Sequence, residues 1–263
     1  MTQPPLSRAL KQLEADLGTV LLHRTPTGVT PTTAGAALLV EARALLERAD
    51  LLRARVAAAA GPPTLTVGTL ADSAERTGTH LAVAFRERHP GVDVRIHEAD
   101  FTDPTAGLRT GRTDVALTRA PFDDTGIDTH LLRTDAVGVV VRTDDPLARR
   151  DAVRTDDLDG RPWFQLPDGT DPMWRAYWQA ATSTGELRAG GPVVRTVHEC
   201  LQAVLWNATI GLSPLTDTLP DGLTCVPLTD MEPSRLVVAW RSGDPNPLVH
   251  SFARIAVARY GAP

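Results

Sequence analysis

His198, Glu199 and Cys200 set an imidazole, a carboxylate and a thiol on consecutive positions, the groups that proton transfer and nucleophilic attack require. Spacing decides against them. The run falls in a predicted helix, where neighbours diverge by about 100°, so the three point apart instead of converging on one reacting atom. The chain contains no Gly-x-Ser-x-Gly, no His-Glu-x-x-His and no glycine-rich phosphate loop. Enzymatic activity is not expected. Cys225 lies too far from Cys200 in sequence for a metal-ligand spacing, so the two are expected to be free, buried thiols, with a redox pair as the alternative. Neither a metal nor another cofactor is expected.

Other residues suit the holding of a small molecule. Ligands of open α/β sheets bind beyond the carboxyl ends of the strands. That rule selects Thr69, Leu70, Ala71 and Asp72 after one predicted strand, Phe101 and Thr102 after the next, and Thr118, Arg119 and Pro121 after a third. Further along it selects Leu166 to Thr170, including Gly169, and Thr196 with Val197 at a helix start. The turn Asp168-Gly169-Thr170-Asp171-Pro172 leads into a helix, so its backbone N–H groups suit a carboxylate. Thr196 either caps its helix or binds a ligand. Arg119 is the one cation close to this group, and its alternative role is a surface ion pair.

The elements that must position these residues are legible in the periodicities. From Pro5 onward, Leu6, Leu10, Leu13 and Leu17 make one apolar stripe of a helix that Gly18 can end. Val20–Leu22 and Val29 flank a Thr-Pro-Thr-Gly tip, the pattern of a small hairpin, with His23 and Arg24 beside it. Residues 32–59 form the strongest helical signal, an apolar stripe from Leu38 to Val56 with a period near that of a helix. Its 28 residues would extend about 42 Å, and so long a protruding stripe is expected to bury itself against a second copy.

Beyond the Gly-Pro-Pro hinge at 61–63 strands and helices alternate. Strands are expected at 64–70, 92–98, 113–118, 128–133, 136–142, 162–166, 192–195, 209–213, 223–227 and 235–241. Helices are expected at 73–89, 103–111, 171–183, 197–207 and 246–259. This alternation predicts an α/β fold with mostly parallel sheets, in two lobes joined by crossing strands near 141 and 235. Trp174, Tyr177 and Trp178 are expected to form a packing face of a helix.

Composition sets the class. With 42% hydrophobic and 22% charged residues the chain reads as globular, and no run approaches the ~18 apolar residues of a membrane span. It shows no secretory signal, so the cytosol is expected, without a membrane partner. The net charge of −5 divides unevenly, because residues 1–56 carry +2 and the remainder −7. A mildly basic head on an acidic body fits a DNA-contacting module attached to something else.

The head carries a family likeness. "QPPLSRALKQLEADLGTVLLHRTPTGVTPTTAGAALL" resembles the DNA-binding end of LysR-type transcriptional regulators, matching at Gln3 to Ser7, Leu13–Glu14, Leu17–Gly18, Leu21–Arg24 and Thr32–Gly35. "RHPGVDVRI" and "TIGLSPL" stand where the family has similar stretches. The resemblance implies a partial winged helix-turn-helix over 1–32, a linker and dimerisation helix over 33–60, and a two-lobed periplasmic-binding-protein-like effector domain over 61–263. Lobe one would hold 64–140 and 236–263, and lobe two 141–235. It further implies that residues 4–17 are the recognition helix, with Gln3, Pro5, Ser7 and Arg8 facing bases or phosphates and Lys11 and Arg24 on the DNA backbone. Such a protein senses a small metabolite and works as a homodimer or homotetramer. The rival readings are a stand-alone solute-binding protein and a cytosolic sensor without autonomous DNA binding.

The family carries about two more helices before this point, and those would cover Leu6, Leu10 and Leu13. A misplaced start codon, with a GTG valine codon read as Met1, is the expectation. The upstream DNA should then continue the same open reading frame, and an early in-frame stop codon would overturn it.

Overall fold

A computed structural model of the protein describes residues 3–25, 28–60, 63–70, 73–181, 185–188 and 190–260. The chain divides into two compact units, 1–57 and 58–263. Among the described residues no helix is long and apolar enough to cross a membrane.

The first unit contains α1 (Gln3–Leu17), the hairpin strands β1 (Leu22–Thr25) and β2 (Gly28–Pro31), and the start of α2 (Thr33–Ala60). Gly18 takes a left-handed backbone, φ +64°, and ends α1 with paired bonds from Gly18 N to Ala15 O and from Thr19 N to Glu14 O. The Glu14 carboxylate then accepts from Leu21 N at 2.8 Å and Leu22 N at 3.2 Å, tying the helix to the chain that enters β1. Thr32 accepts from Gly35 N at 3.0 Å and donates to Val20 O at 2.8 Å. Gly35 is required here, because a Cβ would stand 2.0 Å from the Leu21 carbonyl oxygen. The spaced pairs Leu13–Glu14, Leu17–Gly18 and Thr32–Gly35 are thus the joints of this unit. Leu13 and Leu17 keep 39% and 49% of their surface exposed.

The second unit begins with β3 (Thr64–Leu70), α3 (Ser73–Arg88), β4 (Asp93–Ala99), β5 (Val115–Ala120), β6 (Ile127–Asp135) and β7 (Val137–Arg142). It continues with β8 (Trp163–Gln165), α4 (Pro172–Trp178), β9 (Gly190–Val193), α5 (Val197–Asn207), β10 (Gly211–Pro214), β11 (Leu223–Pro227), β12 (Ser234–Arg241) and α6 (Pro247–Tyr260). A five-stranded sheet has the order β4-β3-β5-β12-β6. Leu65, Val67, Leu81, Phe85, Leu117 and Leu236 are buried in its core, where Phe85 meets Phe252 edge-on. A three-stranded sheet, β10-β7-β11, and the pair β8-β9 surround a second core around Trp163, Leu158, Val139 and Ile210.

Three expectations are corrected. The sheets are mixed, not mostly parallel: β3 runs parallel to β4 and β5, but β12 is antiparallel to β5 and β6, and β7 is antiparallel to β10 and β11. Residues 103–111 form successive turns instead of a helix, since Asp103 accepts from Thr105 N and Gly107 N and the backbone turns left-handed at Ala106 and Gly107. The helix expected over 171–183 ends at Trp178, before the left-handed Ala180. All of β7 pairs with β10 and β11, so sheet membership changes at Ala136.

Strands β5, β12 and β6 are adjacent, and a buried polar cluster locks their ends. Arg119 of β5 donates through Nη1 to Asp135 Oδ2 of β6 at 2.9 Å and to Ser234 Oγ of β12 at 3.1 Å. Arg133 holds the other Asp135 oxygen at 2.7 Å, and the Asp135 side chain is 1% exposed. Removing one partner strands a buried charge. Asp135→Ala should therefore cost about 3–5 kcal/mol and lower the melting temperature by roughly 10 °C, with Asp135→Asn intermediate. Thermal unfolding of the three proteins checks this, and an unchanged Asp135→Ala midpoint would show that the cluster carries no stability.

Candidate functional site

The sheets of the second unit border a cavity of about 70 Å³. The five-stranded side contributes Leu70 from the end of β3, Phe101 just after β4, and Arg119 from β5. Helix α5 contributes Val197, Cys200, Leu201 and Val204, spaced as one helical face. Trp174 and Trp178 come from α4, where a separation of four residues brings the indole centroids within 5.4 Å, the rings tilted at 48°. Phe164 and Leu166 come from β8 and just beyond, against the backbone of Gly211 in β10. The lining is thus mostly apolar and aromatic.

Polar contacts join the two sides at the cavity's edges. Phe101 N donates to Arg195 O at 2.9 Å, and the Arg195 guanidinium pairs with Asp100 at 3.1 Å. Burial alone would raise the Asp100 carboxyl, but hydrogen bonds from Thr102 and the charge of Arg195 outweigh it and hold the carboxyl below its ordinary value. Across the cleft, Asp123 N donates to Asp171 Oδ2 at 2.9 Å. The Tyr177 hydroxyl donates to the Glu232 carbonyl at 2.7 Å, and burial pushes that phenol well above its ordinary range, so it stays a neutral donor. Behind the cavity, burial pushes the Cys225 thiol up to about 12.

Of the residues selected by the strand-end rule, Phe101, Arg119 and Val197 line the cavity, as do Leu70 and Leu166. The others do not. Thr69 and Thr118 are buried in the sheet, with the Thr118 hydroxyl donating to Pro104 O at 2.6 Å. Thr102 turns back onto Asp100, and Pro121 is half-buried. Gly169 is exposed, Thr170 is buried without lining the cavity, and Ala71 and Asp72 lie outside the described residues. Thr196 caps α5, accepting from Glu199 N at 3.2 Å.

One reading of this region is narrowed and one corrected. At the turn over 168–172 and the helix start after it, three N–H groups are already committed: Asp171 takes Met173 N at 2.9 Å and Trp174 N at 3.0 Å, and Thr170 N donates to Pro167 O. Arg119 belongs to no surface ion pair, being 6% exposed and paired with the buried Asp135. His198 and Glu199 are exposed while Cys200 faces the cavity, as helical divergence requires.

Sequence reasoning missed Trp174, Trp178, Cys200, Leu201, Val204 and the β10 contacts. The expected packing face of α4 does pack, with Trp174 and Trp178 in the core, yet the same indoles also wall the cavity. The signal for α5 was present in its helical spacing from Val197 to Val204.

The residues expected to face DNA lie in the first unit. Arg8 and Lys11 are exposed on α1. Gln3, Pro5 and Ser7 fall on α1 and Arg24 on β1, with side chains outside the described set.

Comparison with known proteins places both units. Residues 59–261 match the LysR substrate binding domain, and residues 1–36 match the bacterial regulatory helix-turn-helix protein of the lysR family. The chain is 27% identical over 187 residues to the uncharacterized HTH-type transcriptional regulator YvbU of Bacillus subtilis, covering 70% of this chain and 63% of YvbU. It is 30% identical over 178 residues to the HTH-type transcriptional regulator ShiR of Corynebacterium glutamicum, covering 66% of this chain and 60% of ShiR. The matched segments thus span about three fifths of these two relatives. The crystal structure of full-length BenM shares the fold, with a TM-score of 0.61 at 24% identity over 99% of this chain and 88% of BenM. The cavity sits inside a LysR substrate-binding domain, and the chain belongs to the LysR family.

Proposed function

We propose that this protein is a DNA-binding transcriptional regulator whose second unit senses a small metabolite between its lobes. The observation that carries the reading is the compact, mostly apolar cavity closed by two sheets, with one buried arginine in its wall, on a chain whose first 36 residues match a regulatory helix-turn-helix. In this reading the domains are 1–32, 33–60 and 61–263, and α1 is the element that meets DNA. Arg8 and Lys11 are the exposed cations on it, suited to phosphates.

The long helix supports assembly. Leu45, Leu46, Leu52 and Val56 on α2 are each more than 60% exposed, an apolar stripe that a second copy would cover. A homodimer built on α2 follows, working in the cytosol on promoter DNA. We place ligand contacts at Phe101, Arg119 and Val197, with Leu70, Trp174 and Trp178 added from the cavity wall.

Gel shift on DNA flanking the protein's own gene tests the DNA reading. Lys11→Ala should weaken binding about equally on specific and unrelated sequence, and reduce the salt slope by roughly one. Failure to bind by both this chain and one extended upstream in frame would overturn the regulator reading. Light scattering tests the assembly: Leu45→Glu with Leu52→Glu should convert a dimer to a monomer, and a dimer that persists would remove α2 from the interface.

A further inference from the structure

A second cavity lies between α6 and the strands β12 and β6 of the five-stranded sheet. It measures about 740 Å³, against about 70 Å³ for the cavity bordered by the sheets, and falls within the ~300–1,000 Å³ of small-molecule sites. Register sets its strand wall. His130 of β6 pairs with Val238 of β12, and Trp240 follows two residues later, so both side chains stand on the sheet face that meets α6. From α6 come His250, Arg254 and Val257, spaced four and three apart as one helical stripe. Pro245, in the turn before α6, adds to the lining.

The aromatic part of the groove is held in place. His250 Nε2 donates to the Asp244 carbonyl at 2.7 Å, and its imidazole stands edge-on to the Trp240 indole with the centroids 6.2 Å apart. Trp240 packs against the buried core but is itself only half-buried, so part of its indole opens on the groove. A flat ring can stack there.

Charge in the groove has one sign. Among the described residues, its ionisable lining consists of His130, His250 and Arg254, without a carboxylate. Two carboxylates on the adjoining chain are engaged elsewhere. Asp128, opposite Trp240, accepts from Ser242 Oγ at 2.7 Å, and Asp244 accepts from Arg241 at 3.0 Å and from Asn246 N at 2.9 Å. Arg254 and His130 are exposed and make no hydrogen bond or ion pair among the described residues. Residues 57–263 carry a net −7, so a groove with this lining reverses the local sign and draws anions.

The placement of the two groups discriminates between anions. Arg254 stands on the helix wall and His130 on the strand wall. A carboxylate commits both its oxygens to one guanidinium fork. A phosphate monoester fills the fork with two oxygens and keeps a third for the opposite wall. We propose that this groove binds a phosphate monoester borne on a flat heteroaromatic body, of the size of a nucleoside monophosphate. The ring stacks on Trp240, and the phosphate joins Arg254 to His130. The site is separate from the cavity bordered by the sheets, and neither reading depends on the other.

The histidines supply the readout, because His130 and His250 line the groove while His198 is exposed on α5. The full-length protein is titrated with adenosine 5′-monophosphate, adenosine and ribose 5-phosphate, following diethylpyrocarbonate labelling of each histidine by peptide mass spectrometry. The nucleotide should protect His130 and His250 saturably and leave His198 labelling unchanged. Adenosine, without the charge, should bind at least roughly tenfold more weakly. Ribose 5-phosphate, without the ring, should bind at least roughly fivefold more weakly. Arg254→Gln, at an exposed position, should weaken the nucleotide roughly tenfold and leave adenosine unchanged, with Arg254→Lys in between because it keeps the charge and loses the fork.

Adenosine matching the nucleotide would remove the phosphate from the site, and ribose 5-phosphate matching it would remove the ring. Either outcome overturns the proposal. So do an Arg254→Gln protein that binds the nucleotide as before, protection of His198 to the same degree as the other two, and no protection at all. None of these results bears on the cavity lined by Cys200.

Discussion

The second unit depends on one buried ion pair. Arg119 and Asp135 sit on strands separated by β12, and Ser234 on β12 joins them, so a single guanidinium spans three neighbouring strands. Burying both charges costs several kcal/mol per ion before their attraction returns it. The pair is tolerable because Asp135 takes Arg133 as well, leaving its oxygens satisfied. It also stands where the chain leaves the first sheet, one residue before Ala136. The same cluster therefore fixes the ends of β5 and β6, the crossing into β7, and one wall of the cavity.

The cavity follows from that arrangement. A two-sheet unit joined by crossing strands needs a seam, and here the seam is apolar in the middle and polar at its edges. Leu70 and Phe101 reach across to join the second core, so the lobes share hydrophobic surface instead of merely touching. At the rim, Asp171 serves two purposes: one oxygen caps α4 and the other accepts the Asp123 amide from across the cleft. The first N–H groups of α4 are thus committed to the protein's own carboxylate.

Much of this was legible in the sequence, for identifiable reasons. The stripe from Leu38 to Val56 gave α2 nearly to the residue, and strand β3 was found with its ends because its apolar run is short and bounded by Pro and Asp. The spaced Thr32–Gly35 pair, visible as a motif, proves to be a cap and a close approach to Leu21. Residues 103–111 failed because Asp103 offers its carboxylate to local amides, and that competition is invisible to periodicity. The antiparallel course of β12 was hidden because alternation reports which elements occur, not which way a returning strand runs. The strand-end rule found Leu70, Phe101 and Arg119, but it could not find α5, whose contribution depends on which face of a helix the fold turns inward.

How a ligand would act on such a unit follows from the same accounting. A bound molecule shifts an equilibrium only by the difference in its affinity for the two states. A ligand seated among Phe101, Arg119, Trp174 and Cys200 touches both sheets at once, so opening the seam would forfeit its contacts on one side. Without it, closure rests on shared apolar surface and a few rim bonds, among them Arg195 with Asp100 and Asp123 with Asp171. The rim pair is half-exposed and therefore worth little by itself, since solvent screens it. The differential affinity must come from the inner wall, which Trp174 and Trp178 line on one side and Arg119 on the other. Contacts to both sides at once hold only while the lobes stay together, which makes the inner wall, and not the rim, the lever on this domain.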